Sequence, residues 1–282
     1  MEIRTRRALL SSLCLLGAAG YAAANAPKAS RPAPRGFLIF DGLLYSPMPD
    51  LRALGMPKLL GAGSTWSKNV SHDQVDPAGI KSAVEYLRGL TRNYYFDLEE
   101  WRLLGVPREE VDANIDKLAR TADIARQTAP EMKFGFYGVA PRSPYWSVLL
   151  NKKDELEELW TTNRRSAIIA SRVDYLLPSL YTFYDDPSGW ELVALATLKE
   201  ARQYGKPVYP FLWPEFHDSN VKLVGTQIPP EFWRRQLELC RQHADGLVLW
   251  GGFKRLWDEE APWWVETKSF VKSLGAPSSP GA

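Results

Sequence analysis

The chain has 282 residues, of which 45% are hydrophobic and 24% are charged, and its formal net charge is +2. These values are typical of a globular protein with a large core, and they exclude a disordered or low-complexity chain. A net charge this close to zero does not favour a polyanionic partner, so we expect no binding to nucleic acid.

The first 26 residues have the pattern of an export signal. Three arginines precede an apolar run over 8–24, and small residues near position 26 offer a cleavage site. Two of the arginines are adjacent, as in a twin-arginine signal. We therefore expect a secreted or periplasmic protein with no stable membrane span.

Loss of residues 1–26 would leave a chain of net charge zero with Cys240 as its single cysteine. One cysteine excludes an intrachain disulfide and a cysteine-based metal cluster. A Pro-rich linker is predicted over 27–35, one catalytic domain over 36–274 and a disordered tail over 275–282. The 11 Trp residues suit either a sugar-binding cleft or ordinary barrel packing.

Within the domain, short apolar runs alternate with longer amphipathic runs. Repeated strand–helix alternation indicates parallel strands joined by crossover helices. This alternation is compatible with a single TIM-like (β/α)7-8 barrel and with an open doubly wound sheet. No glycine-rich phosphate loop follows the first strand, and its absence favours the barrel. The predicted strands cover 36–45, 59–64, 93–99, 133–139, 175–183, 207–212 and 246–251, and the predicted helices cover 77–90, 108–128, 152–171, 190–203 and 230–244.

The predicted strand over 93–99 ends in two carboxylates, Asp97 and Glu99. Active sites of α/β barrels lie at the C-terminal ends of the strands. Because side chains alternate along a strand, Asp97 and Glu99 share one face, while Phe96 and Leu98 share the apolar face that suits packing against helices. We therefore expect both carboxylates to point into the barrel near its rim.

Two carboxylates this close cannot both ionise cheaply, so one of them should hold a proton near neutral pH. Glu99 lies nearer the rim and is assigned as the general acid, with Asp97 as an orienting and polarising partner. The pair is too close in sequence to flank a substrate as acid and nucleophile, which favours a mechanism with an N-acetyl carbonyl of the sugar as nucleophile. The competing interpretation is an acidic helix N-terminus capped by Asp97.

Four segments, in order, resemble motifs of the hyaluronidases, glycoside hydrolase family fifty-six. Residues 96–102 (FDLEEWR) resemble the family's D-W-E-E-W-R-P, and residues 134–138 (FGFYG) resemble W-G-F-Y-G-F. Residues 177–181 (LPSLY) resemble Y-P-S-I-Y, and residues 247–251 (LVLWG) resemble V-V-L-W-G. The chain is thereby similar to a distant, bacterial, disulfide-free member of that family.

This resemblance implies that Glu99 is the proton donor and that Asp97 positions the acetamido group of the substrate. It also implies that Tyr137, Tyr181 and Trp250 line the cleft around the scissile sugar, where hydroxyl donors and a flat apolar ring are useful. The implied activity is retaining endo-hydrolysis of an N-acetylhexosamine-containing polysaccharide of the hyaluronan or chondroitin type. A neutral chain supports the fold and mechanism more than it supports a polyanionic polymer, although Arg142 could supply local positive charge.

Other residues leave further possibilities open. Glu215 could bind substrate or act as a second carboxylate in a conventional two-carboxylate mechanism, and Asp41 could reach the cleft from the first strand. Residues 184–186 (YDD) could bind sugar hydroxyls, and a catalytically silent glycan-binding barrel is a further alternative. The three histidines are scattered and suggest neither a metal site nor a Ser-His-Asp triad. We expect a monomer without metal or cofactor.

Overall fold

The structure, a computed structural model, describes residues 36–63, 74–142 and 145–275. The predicted signal, the predicted linker and the tail beyond Gly275 lie outside the described residues. Within the described part of the chain, parallel strands alternate with helices, so the predicted α/β class is confirmed. No helix in that part has the length and apolar character to cross a membrane.

The described residues form six strands in two parallel sheets of three. One sheet has the order β1-β6-β5, and Leu38 of β1 lies opposite Gly246 of β6. The other has the order β2-β3-β4, and Gly63 of β2 lies opposite Asp97 of β3. The strands are β1 Leu38–Leu43, β2 Leu59–Gly63, β3 Asn93–Asp97, β4 Lys133–Phe136, β5 Phe211–Leu212 and β6 Gly246–Gly251.

Isolated parallel bridges join the edges of the two sheets. Asp41 of β1 pairs with Lys58, next to β2. On the other side, Tyr137 pairs with Leu177, and Ser179 pairs with Phe211 of β5. The segment 175–183 therefore lies between β4 and β5 in the pairing order.

That segment was predicted as a full strand, and the structure corrects this to isolated bridges. Pro178 has no N–H, so it cannot donate to a neighbouring strand, although its carbonyl accepts from the N–H of Phe211 at 2.9 Å. Similarly, the predicted strand over 207–212 is reduced to Phe211–Leu212 because Pro207 and Pro210 lack donors.

Helices follow most of the strands, and two of them begin with the capping residue and proline that are typical of a helix N-terminus. Asp76 and Asp186 cap two of them, accepting hydrogen bonds from Gly79 and Gly189 at 3.0 Å, and a proline follows each cap. The helices are α1 Pro77–Arg88, α2 Arg108–Thr128, α3 Tyr145–Leu149, α4 Lys153–Arg165, α5 Ala167–Arg172, α6 Pro187–Arg202, α7 Pro230–His243 and α8 Pro262–Leu274, with a 3-10 helix over Leu51–Leu54.

The predicted helix over 108–128 is confirmed, whereas the one over 152–171 is broken at Ser166. The hydroxyl of Ser166 donates to the carbonyl of Thr162 at 3.0 Å, a local bond typical of helix ends. Helix α8 was not predicted.

Neighbouring residues along a strand belong alternately to two different apolar clusters. The outer cluster packs the sheets against the helices and includes Phe96 and Leu249. The inner cluster combines residues of both sheets, so their other faces pack against each other. It consists of Phe40, Leu59, Tyr95, Tyr175, Leu177, Tyr181, Phe211 and Val248.

Candidate active site

Strand β3 delivers the two predicted carboxylates to one place. Phe96 and Leu98 are buried in the outer cluster, whereas Tyr95 belongs to the inner cluster. Asp97, the last residue of β3, is partly buried and, like Glu99 beyond it, borders a cavity at the C-terminal end of the strand. The predicted alternation along β3 is confirmed, and Asp97 does not cap a helix.

The cavity has a volume of about 180 Å³ and is walled largely by aromatic rings. Five of the seven residues predicted for the site border it, and Asp41 and Glu215 do not. Its lining consists of Tyr95, Asp97, Glu99, Tyr137, Tyr181, Phe211, Trp213, His217, Asp218 and Trp250.

A second cavity of about 300 Å³ continues the first. Both are bordered by Glu99, Tyr137, Tyr181 and His217, so we treat the two together as one cleft. The second cavity adds the cation of Arg142, whose guanidinium donates to the carbonyl of Gly138 at 2.7 Å, together with Leu104, Pro141, Ser179, Phe183 and Thr197.

The electrostatics of the cleft single out Asp97. Burial, together with the negative charges of Glu99 and Glu100, raises the pKa of Asp97 to about 6. Its Oδ1 atom is buried and has no hydrogen-bond partner among the described residues. The raised pKa belongs to Asp97, the more deeply placed of the two carboxylates, so the pair can retain one proton at mildly acidic pH.

Tyrosine hydroxyls lie along one wall of the cleft. The hydroxyl of Tyr137 donates to Oγ of Ser179 at 3.1 Å, and burial raises the pKa of Tyr137 to about 12. Tyr137 therefore stays a protonated donor in neutral solution. Tyr181 lies between Tyr137 and Trp250, with ring-centroid distances of 5.7 and 5.5 Å, and burial also raises the pKa of Tyr181.

Two tryptophans lie next to Tyr181 in the lining of the cleft. The rings of Trp213 and Trp250 are perpendicular with centroids 5.1 Å apart, an edge-to-face contact. Gly251, directly after Trp250, has φ +135°, and a Cβ atom at this position would lie 2.6 Å from the Trp213 ring. Only glycine permits this backbone and this approach together.

His217 was missed as a site residue, because the sequence treats the histidines as scattered. Its ring packs on Phe183 with centroids 4.7 Å apart, and burial lowers the pKa of His217, although Asp218 and Glu99 act in the opposite direction. Glu215, two residues earlier, was singled out from the sequence, and the aromatic and acidic composition of residues 213–218 (WPEFHD) was the available signal for His217. In the structure, Trp213, His217 and Asp218 of this segment face the cleft.

Asp41 and Glu215 do not line the cleft, and their carboxylates bind other residues. Asp41 is buried and accepts hydrogen bonds from the N–H of Leu43 at 3.0 Å and from Nζ of Lys58 at 3.1 Å. Glu215 is 3% exposed and forms an ion pair of 3.0 Å with Arg255. Both carboxylates bind partners that, like the carboxylates themselves, do not line the cleft.

The residues that the structure describes include no group of three His, Cys, Asp or Glu side chains that could hold a metal ion. Cys240 is a free thiol buried in the outer cluster. The polar groups that line the cleft include carboxylates, hydroxyls, one imidazole and one guanidinium.

No family model and no curated protein matches the chain. Solved structures do match it, and one likeness is clear. The fold is similar to that of bee venom hyaluronidase. The structure of that protein in complex with a hyaluronic acid tetramer gives a TM-score of 0.57 at 12% identity, covering 84% of this chain and 96% of that chain.

Two further structures are similar at lower scores. A monoclinic crystal form of bee venom hyaluronidase gives a TM-score of 0.48 at 15% identity, covering 83% of this chain and 85% of that chain. A modular endo-beta-1,4-mannanase from Cellulomonas fimi gives 0.45 at 11% identity, covering 84% and 70%. The similarity to the first structure, at 12% sequence identity, shows a TIM-barrel-like α/β fold.

Proposed function

We propose that the protein is a glycoside hydrolase with Glu99 as its general acid and base. The observation that carries this proposal is the position of Asp97 and Glu99 at one strand end, inside a cleft walled by Tyr137, Tyr181 and Trp250. Flat rings and hydroxyl donors around an acidic pair suit the apolar faces and hydroxyls of a sugar. The position of the pair at the C-terminal end of β3, where α/β barrels hold their active sites, supports the proposal.

We also propose that the two sheets form a single closed (β/α) barrel. The segment 175–183 would be its seventh member, because Leu177 pairs with Tyr137 on one side and Ser179 pairs with Phe211 on the other. The bridge between Asp41 and Lys58 would close the ring. The inner cluster then fills the barrel beneath the cleft.

The proposed mechanism uses the substrate's own acetamido group. The carboxylate pair holds one proton, and Glu99, the more exposed of the two, gives it to the glycosidic oxygen while the C1–O bond breaks and the acetamido carbonyl oxygen bonds to C1. Asp97 accepts a hydrogen bond from the acetamido N–H and holds the group in place. Water then attacks C1 as the bond from C1 to the acetamido oxygen breaks, and it gives a proton to Glu99, which restores the acid and the acetamido group and retains the configuration.

The substrate class follows from the same residues. A retaining reaction of this kind requires an N-acetylhexosamine at the scissile bond, and Arg142 supplies the cleft with a cation that can pair with a uronate. We therefore propose an endo-acting enzyme for a polysaccharide of the hyaluronan or chondroitin type. A secreted or periplasmic monomer with this activity would meet its polymer outside the cytoplasm.

A conventional two-carboxylate mechanism is a second candidate, and it would use Asp218 in place of Glu215. Glu215 is occupied by Arg255, but the exposed Asp218 borders the same cavity as Glu99. An Asp218 nucleophile would not need an acetamido group on the substrate. The two mechanisms therefore differ in the polymers that they accept.

The test is release of reducing ends from N-acetylated polysaccharides and from the same polymers after N-deacetylation. We expect cleavage of an acetylated polymer and no cleavage of its deacetylated form. Equal cleavage of both would contradict the substrate-assisted mechanism and support the candidate that uses Asp218. Affinity for glycans without cleavage of any member of a broad panel would instead support a glycan-binding protein.

A further inference from the structure

Three aromatic side chains outside the cleft form a surface that we call the aromatic platform: Tyr145, Trp146 and Tyr184. Their ring centroids lie 5.0 to 5.3 Å apart. Trp146 is 47% exposed and Tyr184 is 36% exposed. Single exposed aromatic residues are common on proteins, but three rings in mutual contact form a continuous apolar surface.

The platform is held in place by polar contacts at its edges. Nε1 of Trp146 donates to the hydroxyl of Tyr184 at 3.1 Å, which fixes the two exposed rings relative to each other. The hydroxyl of Tyr145 lies 3.5 Å from Oδ2 of Asp186, the residue that caps helix α6. The exposed rings are therefore oriented before any ligand arrives, which lowers the entropy cost of binding.

The platform is continuous with the cleft through one residue. Phe183 borders the second cavity and packs on His217, with centroids 4.7 Å apart. On its other side, Phe183 contacts Tyr145 with centroids 6.2 Å apart. An unbroken series of rings thus leads from the site of Glu99 to the exposed Trp146.

We propose that the aromatic platform is a distal subsite that stacks a sugar unit of the same polysaccharide chain whose scissile bond lies at Glu99. This inference rests on the proposed function. The preferred unit is an uncharged sugar, because Asp185 and Asp186 place negative charge next to the rings and disfavour a uronate. Exposed indole and phenol rings present flat apolar surfaces of the kind that cover the apolar face of a pyranose.

The experiment measures affinity against chain length by calorimetry. Oligosaccharides of increasing length, cut from an N-acetylhexosamine-containing polysaccharide, are titrated into the Glu99→Gln protein so that the ligand stays intact. We expect affinity to rise with length, and Trp146→Ala to weaken binding of long oligosaccharides by about tenfold while leaving the shortest ligands unchanged. Tyr184→Ala, made separately, should act in the same way.

Tyr86→Ala is the matched control, because Tyr86 is a 71% exposed aromatic residue on helix α1. It should leave affinity unchanged at every length. Unchanged affinity for long ligands in both Trp146→Ala and Tyr184→Ala, or an equal loss at all lengths, would overturn the subsite. Circular dichroism establishes that each variant is folded.

Failure of the subsite and failure of the proposed function have different signatures. Hydrolysis by the unmodified protein together with a length dependence that survives both Trp146→Ala and Tyr184→Ala would overturn the subsite alone. A length dependence that Trp146→Ala abolishes, without hydrolysis by the unmodified protein, would leave the subsite standing and contradict the hydrolase. Absence of binding at every length would overturn both.

Discussion

The backbone N–H of Ser219 donates a hydrogen bond of 3.1 Å to Nδ1 of His217. A ring nitrogen that accepts in this way carries no proton, so the neutral ring has its proton on Nε2. Burial lowers the pKa of His217, which favours this neutral form. Because the ring borders both cavities of the cleft, His217 can offer one N–H donor to a substrate oxygen.

Replacement of His217 tests that donor. His217→Phe keeps a ring against Phe183 but removes the N–H, and kcat/KM should fall by about tenfold, the effect of losing one hydrogen bond. His217→Gln retains an N–H at the end of its side chain and should recover most of the activity. Steady-state kinetics on one polymer measure kcat/KM of the two variants. An equal loss of kcat/KM in both would contradict a donor role for His217.

Asp97 should make the stability of the protein depend on pH. Its pKa is raised from 3.8 to about 6 by folding, so between these values the folded state binds more protons than the unfolded state. The stabilisation from this group is therefore fully present below about pH 4 and is lost as pH rises through about 6.

Asp97→Asn cannot titrate, so this loss should be absent from the variant. At pH 8 its free energy of unfolding should exceed that of the unmodified protein by about 1–3 kcal/mol, and at pH 4 the two should be similar. Urea denaturation at pH 4, 6 and 8 measures the difference. A difference that does not change with pH would show that Asp97 has an ordinary pKa in the folded protein.

Two tyrosines, Tyr137 in the cleft and Tyr175 in the interior, distinguish effects on activity from effects on stability. Tyr137→Phe removes a hydroxyl at the cleft, and we expect kcat to fall by about tenfold or more because a hydroxyl that can hydrogen-bond to the reacting sugar is lost. Tyr175→Phe removes a hydroxyl that donates to the carbonyls of Tyr94 and Lys133 at 2.9 and 3.0 Å in the interior.

Tyr175→Phe should therefore cost about 1 kcal/mol of stability and leave kcat unchanged. Turnover at saturating substrate and thermal denaturation of both variants make the comparison. The reverse pattern, with kcat lost only in Tyr175→Phe, would argue against the proposed wall of the cleft.

Glu215 should be structural. Arg255→Ala leaves the buried carboxylate of Glu215 without its cation, so it should lower stability by about 1–3 kcal/mol. Glu215→Gln, in contrast, should retain turnover of a cleavable polymer. A loss of turnover in Glu215→Gln, with unchanged melting temperature, would return Glu215 to the reaction.

The carboxylate pair was predictable from sequence because it depends on local alternation. An apolar strand followed by Asp97-Leu98-Glu99 puts the two carboxylates on one side wherever the strand lies, and the structure has Leu98 buried on the other side. The positions of Tyr137, Tyr181 and Trp250 were implied by the resemblance to the hyaluronidase motifs, and all three lie in predicted strands. Parallel strands bring such positions to the same end of the fold.

His217 and Glu215 show where the sequence was insufficient. Both lie in an irregular segment after β5, where no periodicity tells which side a residue faces. The ion pair between Glu215 and Arg255 joins residues 40 positions apart, and no local pattern indicates it. The pKa of Asp97 likewise depends on how deeply β3 is buried by its neighbours, which is a property of the packed structure.

The central assignment, Glu99 as the acid of a glycosidase, is tested most directly by one pair of variants. Glu99→Gln keeps the shape of the side chain but cannot give or take the proton, whereas Glu100→Gln makes the same change at a neighbouring carboxylate that does not line the cleft. Initial rates of reducing-end release from an N-acetylhexosamine-containing polysaccharide are compared with those of the unmodified protein. We predict that Glu99→Gln abolishes release while still binding the polymer, and that Glu100→Gln retains it; undiminished release by Glu99→Gln would contradict the assignment.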